Sequence, residues 1–216
     1  DEGRSFIRRS GKEYDIIQQV NNFTPIAMAS GAINVSESYL LTLDALEDYW
    51  IHLSENGLVA FNRHNTFKIA VMASVFLEGK QRIPAQHIVV LEAEDKLNNG
   101  FYLKKSPWTH DELSRIRKIA AERNLKVLYD PELEDSSNWY YRLLKHNERD
   151  FFLKLKGLNF SPPTDNQPFF EHIEGLGKID ISDPATLEDV KWIHGVKKWG
   201  NRISTADLTF LILLIE

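Results

Sequence analysis

Tyr14-Asp15-Ile16-Ile17-Gln18-Gln19-Val20 is a short apolar-rich run between Gly11-Lys12-Glu13 and Asn21-Asn22, and it reads as a buried strand. The residues after this strand decide the fold. Over Tyr39 to Leu53, apolar residues recur at Tyr39, Leu43, Leu46, Trp50 and Leu53, the spacing of one helical face. Ser36 or Ser38 can cap that helix, because a short side-chain oxygen reaches the unpaired N–H groups of a first turn. Asn56-Gly57 reads as its left-handed stop, and Leu58-Val59-Ala60-Phe61 as the next strand. Strand, helix, strand is the unit from which α/β sheets are built.

Further along, Thr66 to Leu77 is apolar nearly all round, so this helix is expected to pack on several sides. Ile88 to Glu92 and Phe101 to Lys104 read as strands joined across Asn98-Asn99-Gly100. Thr109 and Glu112 have capping-box spacing at the start of a helix whose buried stripe is Leu113, Ile116, Ile119 and Ala120, ending at Asn124. Leu125 to Tyr129 is a further strand, broken by Asp130-Pro131. Trp139 to Leu155 reads as a helix or helix pair interrupted near Asn147. Gly157 to Gly177 reads as an ordered loop, and Pro184 to Trp199 as a polar helix with Leu187, Val190, Ile193 and His194 on one side.

The expected fold class is α/β: a mostly parallel sheet with flanking helices over residues 1–156, then a loop and helix over 157–216. Sheets of this kind bind ligands at the carboxyl ends of their strands, here Gln18 to Phe23.

The composition excludes several functions. Of 216 residues, 43% are hydrophobic and 26% charged, which is globular and not disordered. With 26 Lys+Arg against 31 Asp+Glu, the net charge of −5 gives no general attraction for nucleic acid. Cys is absent, which removes disulfides, thiolate zinc sites and thiol nucleophiles. His172-Ile173-Glu174 is too isolated to hold a metal, and no metal site is expected. No nucleophile elbow accompanies the Ser and His residues. The basic pairs Arg8-Arg9, Lys104-Lys105 and Lys197-Lys198 read as solvated surface. Trp192 and Trp199 fit a packed helix face or a membrane-interface belt.

The chain opens at Asp1-Glu2-Gly3 without an initiator Met or a signal-peptide pattern, as expected of a segment of a longer protein. The apolar run Leu208 to Ile215 reads either as a buried strand or helix or as the first turns of a membrane helix continuing after Glu216. Lys197, Lys198 and Arg202 just before it would put this side at the cytoplasmic face of the cell membrane.

Asp1-Glu2-Gly3-Arg4-Ser5-Phe6-Ile7-Arg8-Arg9, followed by Lys12-Glu13-Tyr14-Asp15-Ile16-Ile17, resembles the middle of a spermidine synthase-type domain. Leu53-Ser54-Glu55-Asn56-Gly57-Leu58 is similar to a step shared by that family and the S-adenosylmethionine methyltransferases. His110 to Tyr129 and Pro163-Thr164-Asp165-Asn166-Gln167-Pro168-Phe169-Phe170 resemble the bacterial subgroup fused to membrane segments.

The resemblance implies the C-terminal part of a Rossmann-like, methyltransferase-type domain, with a missing N-terminal half-domain as partner. It implies that Asp1, Glu2 and Gly3 form the cofactor-binding segment for an S-adenosylmethionine-type nucleoside, with the Glu2 acid at the position that contacts the adenine amino group; the other reading of Glu2 is a solvated loop acid. No Gly-x-Gly-x-x-Gly turn occurs here, so the chain alone is expected to bind no cofactor. The family also sets an Asp at the end of the Tyr-Asp-hydrophobic strand, to orient an amine and take up its proton. Gln18-Gln19-Val20-Asn21-Asn22 stands there instead, so no catalytic residue is assigned. Gln18 and Asn21 remain hydrogen-bonding candidates for a substrate. Asp165 reads either as a functional acid in a fixed loop or as a turn residue capping the amides after it. Phe169-Phe170 reads as core packing. The function expected is a non-catalytic soluble domain serving binding or regulation, against the alternative of half an aminopropyl- or methyltransferase site. An open sheet edge is expected to drive homo-oligomer formation.

Overall fold

In the computed structural model of the protein, residues 3–20, 37–94, 98–155 and 158–170 are described. Helix α1 (Gly3–Ser10) leads into strand β1 (Tyr14–Val20). Helix α2 (Leu43–Ile51), strand β2 (Leu53–Asn62) and helix α3 (Thr66–Gly79) come next. A 3-10 turn at Pro84–Gln86 precedes β3 (Ile88–Glu92) and β4 (Gly100–Lys104). Helix α4 (His110–Glu122), strand β5 (Lys126–Tyr129) and the short helices α5 (Trp139–Lys145) and α6 (Arg149–Leu153) complete the order.

The strands form one sheet in the order β1-β2-β4-β3-β5 with helices on both sides, a mixed α/β architecture. The expected mostly parallel sheet is not what forms. β1 and β2 are parallel, whereas β2–β4, β4–β3 and β3–β5 are all antiparallel. The reason is chain length: residues 93–99 are too few for a crossover, which needs a dozen or more. β3 must therefore turn straight back into β4, and β4 slots between β2 and β3.

One sheet face carries Ile17, Val59, Phe61, Val90, Phe101 and Leu103, packed under α2 and α3. Eleven of the fourteen α3 residues are buried, which is why its sequence is apolar on every side. Phe67 of α3 meets Trp139, Tyr140, Phe152 and Phe160 edge-on at 4.9–5.3 Å between ring centres. The opposite face carries Val89, Leu91 and Tyr102 against Leu113, Ile116 and Ala120 of α4.

Local details depart from expectation for identifiable reasons. Helix α2 starts at Leu43, because Thr42 Oγ1 accepts the Ala45 N–H at 3.0 Å and so caps it; Ser36 lies outside the described residues. Asn56-Gly57 is no helix stop: it lies inside β2, where register jumps from Tyr14↔Leu53 to Ile16↔Leu58 and the intervening β2 residues bulge out. Gly57 is needed there because a Cβ would stand 2.8 Å from the Tyr14 carbonyl oxygen. The Thr109–Glu112 capping box forms, with bonds of 2.9 and 3.3 Å. Ile119 does not join the buried stripe and is 54% exposed. Lys104 is not solvated surface either: it is buried, with its ammonium 2.6 Å from Glu112 Oε1. The helix pair breaks at Asn147, whose φ of 54° ends one turn before the next begins. Phe170 is fully buried, while Phe169 is 40% exposed. Residues 171–216, including the expected Pro184–Trp199 helix and the Leu208–Ile215 run, lie outside the described residues, as do Asp1, Glu2 and Asn21.

Replacing Gly57 by Ala should destabilise the fold by about 1–3 kcal/mol, since backbone and not a flexible side chain meets the new methyl. Gly79→Ala, with nothing within 4 Å, should be neutral or gain up to about 1 kcal/mol of helix propensity. Urea unfolding of both variants separates the two cases.

Candidate binding site

Two polar clusters flank β1, and each contains one residue that the sequence singles out. The first is centred on Arg4. Helix α1 turns this residue inward, leaving it 7% exposed. Its Nη1 and Nη2 donate to Asp165 Oδ1 and Oδ2 at 2.8 and 2.9 Å, a two-pronged pairing that fixes both groups in one plane. Nε donates to Asp48 Oδ2 at 2.5 Å, and Nη1 also reaches the Tyr39 carbonyl at 2.9 Å. Thr42 Oγ1 donates to Asp165 Oδ1 at 2.7 Å while it caps α2. The Asp165 N–H in turn donates to Asp44 Oδ2 at 2.8 Å.

This cluster joins segments distant in sequence. The 163–168 loop is further tied by the Leu43 N–H to the Pro163 carbonyl at 2.9 Å and the Ser38 N–H to the Pro168 carbonyl at 2.7 Å. Arg8 Nε lies 3.6 Å from Asp48 Oδ1, so two guanidinium groups stand among the carboxylates of Asp48, Asp165 and Asp44. The Arg4 bond holds the Asp165 carboxyl below its ordinary range, against the opposing effect of burial. Burial alone would lower the Arg4 pKa, but the bonds to Asp165 and Asp48 outweigh it and raise it.

The second cluster lies at the carboxyl end of β1, on the sheet face opposite α2 and α3. Gln18 Nε2 donates to Asn62 Oδ1 at 2.7 Å, and Asn62 also hydrogen-bonds the Tyr102 hydroxyl. The register puts Gln18 beside Ala60, Ala60 beside Tyr102, and Val20 beside Asn62. Gly100 makes room for this, because a Cβ there would stand 2.6 Å from the Tyr102 hydroxyl oxygen. Burial raises the Tyr102 pKa, partly offset by the Asn62 bond. Gln19 points to the other face, where its Oε1 is buried with no hydrogen-bond partner among the described residues.

At the carboxyl end of β2, Arg63 and Lys68, both buried, lie 4.7 and 5.5 Å from the ring centre of Phe170. A cation over an aromatic face is an attractive arrangement, and it pins the Phe170 end of the loop.

Of the residues named from sequence, the structure brings Gly3 and Asp165 close through Arg4. Gly3 begins α1, with no described atom within 4 Å of where a Cβ would stand. Gln18 belongs to the separate Asn62–Tyr102 cluster. Arg4, Asn62 and Tyr102 escape the sequence reading; the only signal is the position of Arg4 directly after Asp1-Glu2-Gly3. Among the described residues, no group of three or more His, Asp or Glu could hold a metal ion, and no helix is long and apolar enough to cross a membrane. Comparison with protein-family models and with curated protein sequences gives no match.

Asp165→Asn should cost about 1.5–3 kcal/mol at neutral pH, the range for a hydrogen bond to a charged group. The sign with pH follows from the depressed carboxyl. Its contribution is complete above the unfolded-state pKa, near 3.9, and is lost as pH falls through the lower folded value. The stability gap between wild type and variant, read from urea midpoints, should therefore be constant from pH 8 to 5 and shrink below about pH 4.

Proposed function

We propose that this chain is the C-terminal part of a spermidine synthase-like α/β domain whose role is binding or regulation and not group transfer. The observation that carries the reading is the neutral end of β1. Gln18 is engaged with Asn62, and Gln19 offers a buried amide oxygen that can accept a hydrogen bond but cannot take up a proton near neutral pH. The carboxylate on β1, Asp15, sits at the start of the strand and accepts from Ser54 Oγ at 2.7 Å. The carboxyl end of β1, Gln18-Gln19-Val20, itself offers a polycationic amine no carboxylate.

The half-sheet part of the proposal is supported by the position of β1 as the outer strand among the described residues and by the parallel β1–β2 pair, with α2 between the two strands in sequence. It is also supported by the tie between the Asp-Glu-Gly-Arg segment and the Thr-Asp-x-x-Pro-Phe-Phe loop, the two motifs on which the resemblance rests. Attachment to the cytoplasmic face of a membrane after Glu216 belongs to the same reading and rests on Lys197, Lys198 and Arg202.

One observation favours the alternative of half a transferase site. Arg4 is clamped by Asp48, the Tyr39 carbonyl and Asp165, which orders the segment directly after Asp1-Glu2-Gly3, as a nucleoside contact would require. Calorimetric titration with S-adenosylmethionine and with methylthioadenosine separates the readings. The binding or regulatory role predicts no affinity tighter than about millimolar, roughly −4 kcal/mol. Micromolar affinity for either nucleoside would replace it with the transferase reading.

A further inference from the structure

We propose that Asn56 is a site of spontaneous covalent modification, at which the main-chain nitrogen of Gly57 displaces the side-chain amide and leaves aspartate or isoaspartate in the β2 bulge. The inference is independent of the function proposed above.

The chain has two Asn-Gly steps, Asn56-Gly57 and Asn99-Gly100. In each, the second residue lacks a Cβ, so its nitrogen approaches the asparagine Cγ with little hindrance. The fold treats the two steps differently.

Asn99 is held on every side. It is 8% exposed, its Oδ1 accepts the Ala93 N–H at 3.0 Å, and its carbonyl accepts the Arg63 N–H at 2.9 Å. Gly100 lies in the inner strand β4, in register with Asn62 on one side and Leu91 on the other. Before the Gly100 nitrogen can reach Asn99 Cγ, the side-chain bond must break and the strand pairing must open.

Asn56 is placed in the opposite way. Its side chain is exposed. β1 pairs with Leu53 and next with Leu58, and the β4 pairing starts at Leu58, so residues 54–57 have no register partner on either neighbouring strand. Ser106 Oγ donates to Asn56 Oδ1 at 2.9 Å. That bond points at the atom on which negative charge develops as Cγ becomes tetrahedral, so it favours the attack.

The reaction balances with water alone. A bond forms between the Gly57 nitrogen and Asn56 Cγ, the Cγ–Nδ2 bond breaks, and ammonia leaves with the Gly57 amide proton. Water then opens the five-membered imide. Opening at Cγ gives aspartate; opening at the main-chain carbonyl gives isoaspartate, with the backbone now running through Cβ and Cγ. Either product adds one negative charge. Isoaspartate also lengthens the main chain directly before Gly57, whose Cα has no slack: a Cβ there would stand 2.8 Å from the Tyr14 carbonyl oxygen and 3.1 Å from Ser54 N and O. The modification therefore acts as a slow, irreversible loosening of the β1–β2 junction.

The test is incubation of the whole chain in neutral buffer and peptide mapping by mass spectrometry, with the urea-unfolded chain as reference. In the folded chain Asn56 should convert at least about tenfold faster than Asn99, because only Asn99 waits on local opening. In urea the two steps should react at similar rates, which assigns the difference to the fold. Ser106→Ala should slow Asn56 at least about threefold and leave Asn99 unchanged. Chains carrying isoaspartate should show a lower urea midpoint, whereas Asn56→Asp, which keeps the main-chain length at an exposed position, should stay near wild type. Equal rates at the two steps in the folded chain, or an intact Asn56 after the unfolded chain has converted, overturns the proposal. Unchanged or faster conversion of Asn56 in Ser106→Ala overturns the part given to the hydroxyl.

Discussion

The two-pronged pairing of Arg4 with Asp165 is the interaction on which the arrangement around β1 depends. It spans 161 positions of sequence and draws α1, the start of α2 and the Pro-flanked loop to one point. Arg4 is almost wholly desolvated, so removing one partner would leave a buried charge partly uncompensated. The bonds of Arg4 to Asp48 and Tyr39, and of Asp165 to Thr42, over-determine the position of each group. The cluster therefore acts as a structural clamp.

Beneath that clamp, the sheet divides in two. The β3–β4 hairpin, with β5 alongside, is covered on both faces, by α3 and the short helices on one and α4 on the other. Among the described residues, the β1–β2 pair is covered on one face alone. Its outer side presents apolar residues and a self-satisfied row of amides and a phenol, in a chain where 26% of residues are charged.

Much of this is legible in the sequence where the signal is local. Thr109 and Glu112 lie three apart, so their capping box can be read directly. The all-round apolar character of Thr66 to Leu77 announces a central helix, and Asn147 marks a helix break. Long-range and steric contacts leave no such trace. Asn56-Gly57 has the look of a helix stop, yet Gly57 is required by the Tyr14 carbonyl of another strand. Lys104 has the look of surface because nothing local announces that Glu112 will meet it in the fold. The insertion of β4 between β2 and β3 is invisible in periodicity, since pairing order is not a property of any single strand. At the candidate site, Gln18 and Asp165 stand out as polar residues in suggestive places, but their partners Asn62, Tyr102 and Arg4 come only with the fold.

Among the described residues, β1 is the outermost strand, bonded to β2 on one side and with no strand paired on the other. Residue-resolved hydrogen exchange of the β1 amides tests this most directly. The predicted result is alternation along Tyr14 to Val20: amides pointing at β2 are protected and those pointing outward exchange at nearly unfolded rates. Uniform protection of every amide in the strand would mean that both edges are already paired, and would contradict it.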